Sequence, residues 1–134
     1  MTILYACEPA LAAHEFRDVL ISSALAERRP AEDPERLAQM LRHADIIITA
    51  RSDGRLIGIS RALSDFAYCC YLSDLAVART FQRQGIGKRL IAETHAVAGE
   101  QTTLILVSAP AAEACYPKIG MEHLPSCWAI RRSR

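Results

Sequence analysis

The chain has no apolar run long enough to span a membrane, and no basic N-terminal segment leading into an apolar stretch. Neither an anchor nor a secretion signal is therefore read from it. Charge of one sign is also missing. Sixteen Lys and Arg stand against fifteen Asp and Glu, a formal net charge of +1. That balance removes the electrostatic footprint nucleic acid or an anionic membrane would require. No Cys-x-x-Cys pair occurs, and the five cysteines (Cys7, Cys69, Cys70, Cys115, Cys127) are odd in number. They are expected to be free, mostly buried thiols in a reducing compartment. The adjacent Cys69 and Cys70 fall in a predicted strand and should point to opposite faces. The four histidines have no metal-ligand spacing with each other or with cysteine, so no metal site is expected. Repeats, low-complexity segments and linkers are absent too. What remains is one soluble, cytoplasmic domain over residues 1–134, large and apolar enough to bury a core.

The patterning predicts the order β-α-α-β-β-β-α-β-α-β. Ile3 to Cys7 reads as a short strand, and Ala12, Phe16, Val19 and Leu20 recur at helical spacing between Pro9 and Ala26. The charged, proline-broken stretch Glu27–Glu32 reads as a loop. Asp33 is placed to cap a second helix with Pro34 in its first turn, and Leu37, Met40, Leu41 and Ala44 form its apolar stripe. Strands Ile46–Ala50 and Leu56–Ala62 flank an Asp53-Gly54 hairpin turn, and Tyr68–Val77 continues the meander. A helix then presents Ile86, Leu90, Ile91, Thr94 and Ala98 inward and ends at Gly99. Strand Thr103–Val107, a short helix ending near Gly120 and a last strand at about Cys127–Arg131 complete the series. One strand-helix-strand unit must be a parallel crossover, which makes the fold α+β. It has a mixed, mostly antiparallel sheet flanked by helices. A ligand crevice is expected where the parallel strands diverge.

The segment Gln82-Arg83-Gln84-Gly85-Ile86-Gly87-Lys88 lies between a strand and a helix. Its glycines leave successive N–H groups uncovered at a helix start, an anion site suited to phosphate, and Arg83, Lys88 and Arg89 add positive charge. A Walker loop would need Gly at position 82 and Ser or Thr at 89, where Gln and Arg stand. A dinucleotide fingerprint would need Gly or Ala at position 90, which is Leu.

The remaining pattern, Q/R-x-x-G-x-G/A, resembles the pyrophosphate loop of the GNAT superfamily of N-acetyltransferases. The strand Tyr68–Val77 and the run Ala114-Cys115-Tyr116-Pro117-Lys118-Ile119-Gly120-Met121 extend the likeness, the latter similar to the family's A-x-x-Y-x-x-x-G-F with Met for Phe. The resemblance is specific from about Leu72 to Met121. It implies the acyl-CoA N-acyltransferase fold, acetyl-CoA as cosubstrate, an amine acceptor (small molecule or peptide) and homodimers as a common assembly. It further implies a bulged strand whose backbone at Leu75, Ala76 and Val77 pairs with the pantetheine arm, and a pyrophosphate held by Gln82 through Lys88.

On the same basis, Tyr116 is expected to protonate the departing thiolate. A phenol with a reference pKa of about 10 stays protonated at neutral pH. The strand positions where some relatives carry a base are Tyr71 and Ser73, neither a carboxylate nor an imidazole. Tyr71 is expected to hold a proton-relaying water. Asp74 lies nearby, but alternation turns it to the opposite face unless a bulge re-aims it. Ala109-Pro110 replaces an Asn that often contacts pantetheine in the family. The acceptor region is placed at roughly residues 10–45 and 121–130, where Glu8, Glu15, Asp18, Glu32, Asp33 and Glu122 are candidates to hold a cationic amine. With no strand carboxylate, a non-catalytic acyl-CoA-binding module is the competing reading.

Overall fold

The computed structural model describes residues 2–134, with the backbone course alone for Ala111 and Ala112. Five strands, β1 (Ile3–Cys7), β2 (Ile46–Ser52), β3 (Arg55–Ser64), β4 (Cys69–Val77) and β5 (Thr103–Leu106), lie side by side in chain order. The first three pairings are antiparallel, and β4 with β5 is parallel. The parallel pair is joined by α3 (Ile86–Ala98), the crossover expected from the sequence. Asp53 and Gly54, both at positive φ, close the β2–β3 hairpin. Helices α1 (Ala13–Ser22) and α2 (Pro34–Arg42) cover the other face, α2 being capped by the Asp33 carboxylate on the Arg36 N–H.

Each face of the sheet has its own core. Ile46, Ile48, Ala50, Ile57 and Cys70 pack with Ile86, Leu90 and Ala98 of α3. Ile47, Ile59 and Ala76 pack with Phe16, Val19, Leu20, Leu37 and Leu41 of α1 and α2. At Gly58 a Cβ would sit 3.2 Å from Leu90 Cδ1 and 3.3 Å from the Ala50 Cβ, so glycine lets α3 lie close on the sheet. The buried polar pair Ser60 Oγ and Thr94 Oγ1, 2.6 Å apart, ties β3 to α3, and Thr94 in turn donates to the Leu90 carbonyl. Ile91 is only partly buried.

The register of β3 on β4 slips once. Arg61 faces Asp74 and Ala62 faces Leu72, leaving Ser73 as the extra residue of a bulge. The bulge brings Ser73 and Asp74 to the same side, and Arg61 reaches both, Nη2 donating to Ser73 Oγ at 3.1 Å and Nε to an Asp74 oxygen. Arg29, just after the 3-10 turn Leu25–Arg28, donates to the other Asp74 oxygen and, at 2.7 Å, to the Ser73 carbonyl. Asp74 is fully buried.

Three expectations are corrected. The helix expected before Gly120 is two 3-10 turns, Pro110–Cys115 and Pro117–Ile119, because Pro117 supplies no N–H to continue an α-helix. The strand expected at Cys127–Arg131 does not form. No pairing with β5 is made among the described residues, and Trp128 and Ile130 are 91% and 102% exposed. A strand with neither an edge to pair nor a face to bury has nothing to hold it. The cysteines are also mostly exposed. Only Cys70 is buried, because Cys7, Cys115 and Cys127 lie at a strand end or in irregular segments and Cys69 points outward from β4.

Replacing Asp74 by Asn keeps the shape but leaves two guanidinium groups, one of them Arg61, without counter-charge at a buried site. We expect Asp74→Asn to lower unfolding free energy by about 3 kcal/mol or more, measured by urea denaturation. Unchanged stability would show that the clamp is energetically idle.

Candidate active site

β4 runs five residues past the end of its pairing with β5. The parallel ladder stops at Leu72 with Leu106, whereas β4 continues to Val77. Beyond Leu72 the β5-facing edge of β4 therefore has no strand on it, and a cleft of about 930 Å³ opens there. Leu72, Ser73 and Leu75 form one wall, Leu106, Val107 and Ala109 another, and the segment around Arg28–Pro30 a third. Tyr71 and Tyr116 both line it.

The glycine loop sits at the far end of β4. Gly85, at φ +84°, is the N-cap of α3 and makes no side-chain cap. The first backbone bond of the helix is Arg89 N–H to the Gly85 carbonyl, 3.0 Å. The N–H groups of Gln84, Gly85, Ile86, Gly87 and Lys88 have no backbone acceptor among the described residues. Gln82 Nε2 donates to the Val77 carbonyl at 2.8 Å, which fastens the loop to the strand. A Cβ at Gly87 would meet only Leu75 Cδ2, at 4.0 Å, so the loop is open above it. The geometry fits a pyrophosphate on backbone donors at a helix start. Arg83 and Lys88 are exposed beside it. Arg89 is turned elsewhere, over the Tyr5 ring at 4.6 Å and 3.6 Å from Glu93.

Of the chemical candidates, Tyr116 lies where the two 3-10 turns meet, half-buried, and its hydroxyl makes no hydrogen bond among the described residues. Burial first, and the neighbouring Cys115 second, push its phenol above the usual tyrosine value. Tyr71 is 40% exposed on β4. The bulge does bring Asp74 to the face of Ser73, yet both its oxygens are held by arginines.

The acidic residues expected to hold an amine are not in the cleft. Glu8 and Glu15 are bound by Arg51 and pulled below the usual carboxylate range, chiefly by its hydrogen bonds. Glu32 pairs with Arg17, Asp33 caps α2, and Asp18 and Glu122 lie outside the lining. The lining carboxylate is Glu27, which sequence reasoning passed over as part of a charged loop. The arginines of the cleft were missed as well. They come from four separate places in the chain, residues 28–29, 36, 61 and 131–132. Among the described residues no group of His, Cys, Asp and Glu is placed to hold a metal, and no helix is long and apolar enough to cross a membrane.

Comparison with known proteins gives the same architecture. A probable acetyltransferase of meticillin-resistant Staphylococcus aureus superposes with a TM-score of 0.80 at 18% identity, covering 99% of this chain and 100% of that one. A ribosomal-protein-alanine N-acetyltransferase of Brucella melitensis biovar Abortus 2308 does so at 0.74 and 23%, covering 98% and 100%. The aminoglycoside N-acetyltransferase AAC(6')-Iy, in complex with CoA, reaches 0.74 at 17%, covering 99% and 96%. No curated protein matches on sequence. The sequence profile of the Acetyltransferase (GNAT) family matches residues 13–121, so the chain that builds this cleft and loop belongs to that family.

Proposed function

We propose that this protein transfers an acetyl group from acetyl-CoA to an amine by direct attack within a ternary complex. The observation that carries the reading is the open edge of β4 beyond Leu72. The unpartnered N–H groups of residues 84–88 follow that strand in the chain, and the unbonded hydroxyl of Tyr116 lines the cleft beside it. Gln82 through Lys88 would hold the pyrophosphate, and the free edge of Leu75, Ala76 and Val77 the pantetheine. Bound there, acetyl-CoA supplies an activated thioester carbonyl.

The chain's own contribution is chiefly placement, since orientation alone can remove several kcal/mol of barrier. A β4 N–H near Val77 aimed at the carbonyl oxygen would stabilise the charge that develops there. The Tyr116 hydroxyl donates its proton to the departing sulfur. Its raised pKa keeps the proton available throughout the neutral range. The amine must lose a proton too, and Asp74 is already committed to two guanidinium groups. Water ordered by Tyr71, in a cleft open to solvent, is the acceptor we assign. This lack of a free strand carboxylate is also what supports the competing reading, a non-catalytic acyl-CoA-binding module.

Two variants test the cofactor loop and the catalytic reading in turn. Gly87→Glu places a carboxylate where the pyrophosphate would lie. Near a helix start the change should be tolerated by the fold. Calorimetry should show acetyl-CoA binding weakened by about 100-fold or more, or roughly 2.8 kcal/mol, with thermal stability retained. Unaltered affinity would remove the loop from cofactor binding.

Tyr116→Phe should lower kcat by about 100-fold with acetyl-CoA affinity unchanged. In the parent protein the Tyr116 contribution to the rate should be full below its pKa and lost as pH rises through it, above the ordinary tyrosine value. That alkaline limb should vanish in the variant. Tight binding with no turnover on any amine, by the parent protein itself, would favour the binding module.

A further inference from the structure

The cleft has a charge that the whole chain does not. Of the sixteen Lys and Arg in a chain of net charge +1, six arginines line this one cavity: Arg28, Arg29, Arg36, Arg61, Arg131 and Arg132. They face a single lining carboxylate, Glu27. The buried Asp74 balances one of the pair Arg29 and Arg61, not both. Arg28, Arg131 and Arg132 make no ion pair or side-chain hydrogen bond among the described residues, and Arg36 reaches only the Arg134 carbonyl, at 3.2 Å. The guanidinium groups of Arg28, Arg131 and Arg132 are exposed, with charge and donors that no described protein group receives.

The cofactor phosphates do not account for this concentration. The residues of the glycine loop are absent from the cavity lining, and the arginines come from α2, β3, the turn before α2 and the last segment of the chain. An acceptor that is only a cation would enter against like charge, since two unit charges 4 Å apart repel by about 1 kcal/mol even in bulk water. A planar guanidinium instead matches carboxylate and phosphate geometry, with two N–H groups to two oxygens.

Resting on the acetyltransferase reading above, we propose that the acceptor is a small amine that also carries an anionic group, a carboxylate or a phosphate. Arg28, Arg36 and Arg132 bind that group. Their selectivity excludes polycationic amines.

The test is acetylation of matched amines at saturating acetyl-CoA, with product measured by mass spectrometry. O-phosphoethanolamine is set against ethanolamine, and β-alanine against β-alaninamide, so that only the anionic group differs within a pair. Spermidine serves as the polycation. The expected result is a kcat/KM at least tenfold higher for the anionic member of one or both pairs, the pair identifying phosphate or carboxylate. The variant Arg28→Gln/Arg132→Gln alters two exposed side chains without partners, so the fold should persist. It should raise KM for the anionic member at least tenfold and leave acetyl-CoA affinity near that of the parent.

Preference for ethanolamine, β-alaninamide or spermidine would overturn the proposal while the acetyltransferase reading stands. So would acetyl-CoA binding with neither turnover nor calorimetric binding of either anionic amine. Absence of acetyl-CoA binding, measured first by calorimetry, would instead sink the underlying reading, and this proposal with it.

Discussion

The buried carboxylate of Asp74 holds together three parts of the chain that no local rule would bring into contact. One of its oxygens is taken by Arg61 of β3 and the other by Arg29, from the turn that leads towards α2. The same two arginines bind Ser73, at its hydroxyl and at its carbonyl, so the bulge of β4 is fixed on both sides. A buried ion pair of this kind is a weak source of net stability, because the desolvation of its members offsets most of their attraction. What it gives is position. The turn carrying Arg28 and Arg29 becomes a wall of the cleft because Asp74 anchors it to the sheet.

The cleft itself follows from strand lengths. β5 is four residues long and β4 nine, so their parallel pairing ends while β4 still has backbone to offer. The crossover helix returns from the far end of that same strand, which puts its unbonded N–H groups at one end of the exposed edge. Tyr116 arrives at the other end because the chain leaves β5 in 3-10 turns and not in a long helix. Proline at 110 and 117 enforces this by denying N–H donors to the turns. Unbonded N–H groups at a helix start and a free strand edge thus follow from topology before any side-chain detail is considered.

How much of this was legible in the sequence depended on the range of the interaction. The Asp53-Gly54 turn, the Asp33 cap and the α3 stripe, apart from the partly buried Ile91, are set by residues within a few positions of one another, and they stand as read. The end of the chain was misread for a related reason. Trp128 and Ile130 alternate as a strand should, but alternation supplies no partner edge, and both remain exposed. The bulge at Ser73 has no local signature, and it inverts the face on which Asp74 falls. The acceptor side was also beyond reach. Acidic residues near α1 suggested a site for a cation, but Arg51, distant in sequence, takes Glu8 and Glu15. The arginines of the cleft converge from residues 28 to 132, a juxtaposition that only the tertiary fold creates.

That convergence bears on the proton the amine must lose. An ordinary alkylammonium, with a pKa near that of lysine at about 10.4, is almost entirely protonated at neutral pH and cannot attack. Neighbouring positive charge disfavours the protonated form and lowers that pKa, by the same effect that activates lysines beside other cations. A lining of guanidinium groups around Tyr71 therefore raises the neutral fraction of any amine held among them. A strong base is needed only when the surroundings leave the amine at its solution pKa. In this cleft Asp74 is spent on structure, and on the proposed acetyltransferase reading the arginines it helps to place would take over part of the work of a carboxylate. An anionic group on the acceptor reconciles the two demands, since it is drawn in by the same charges that make the amine give up its proton.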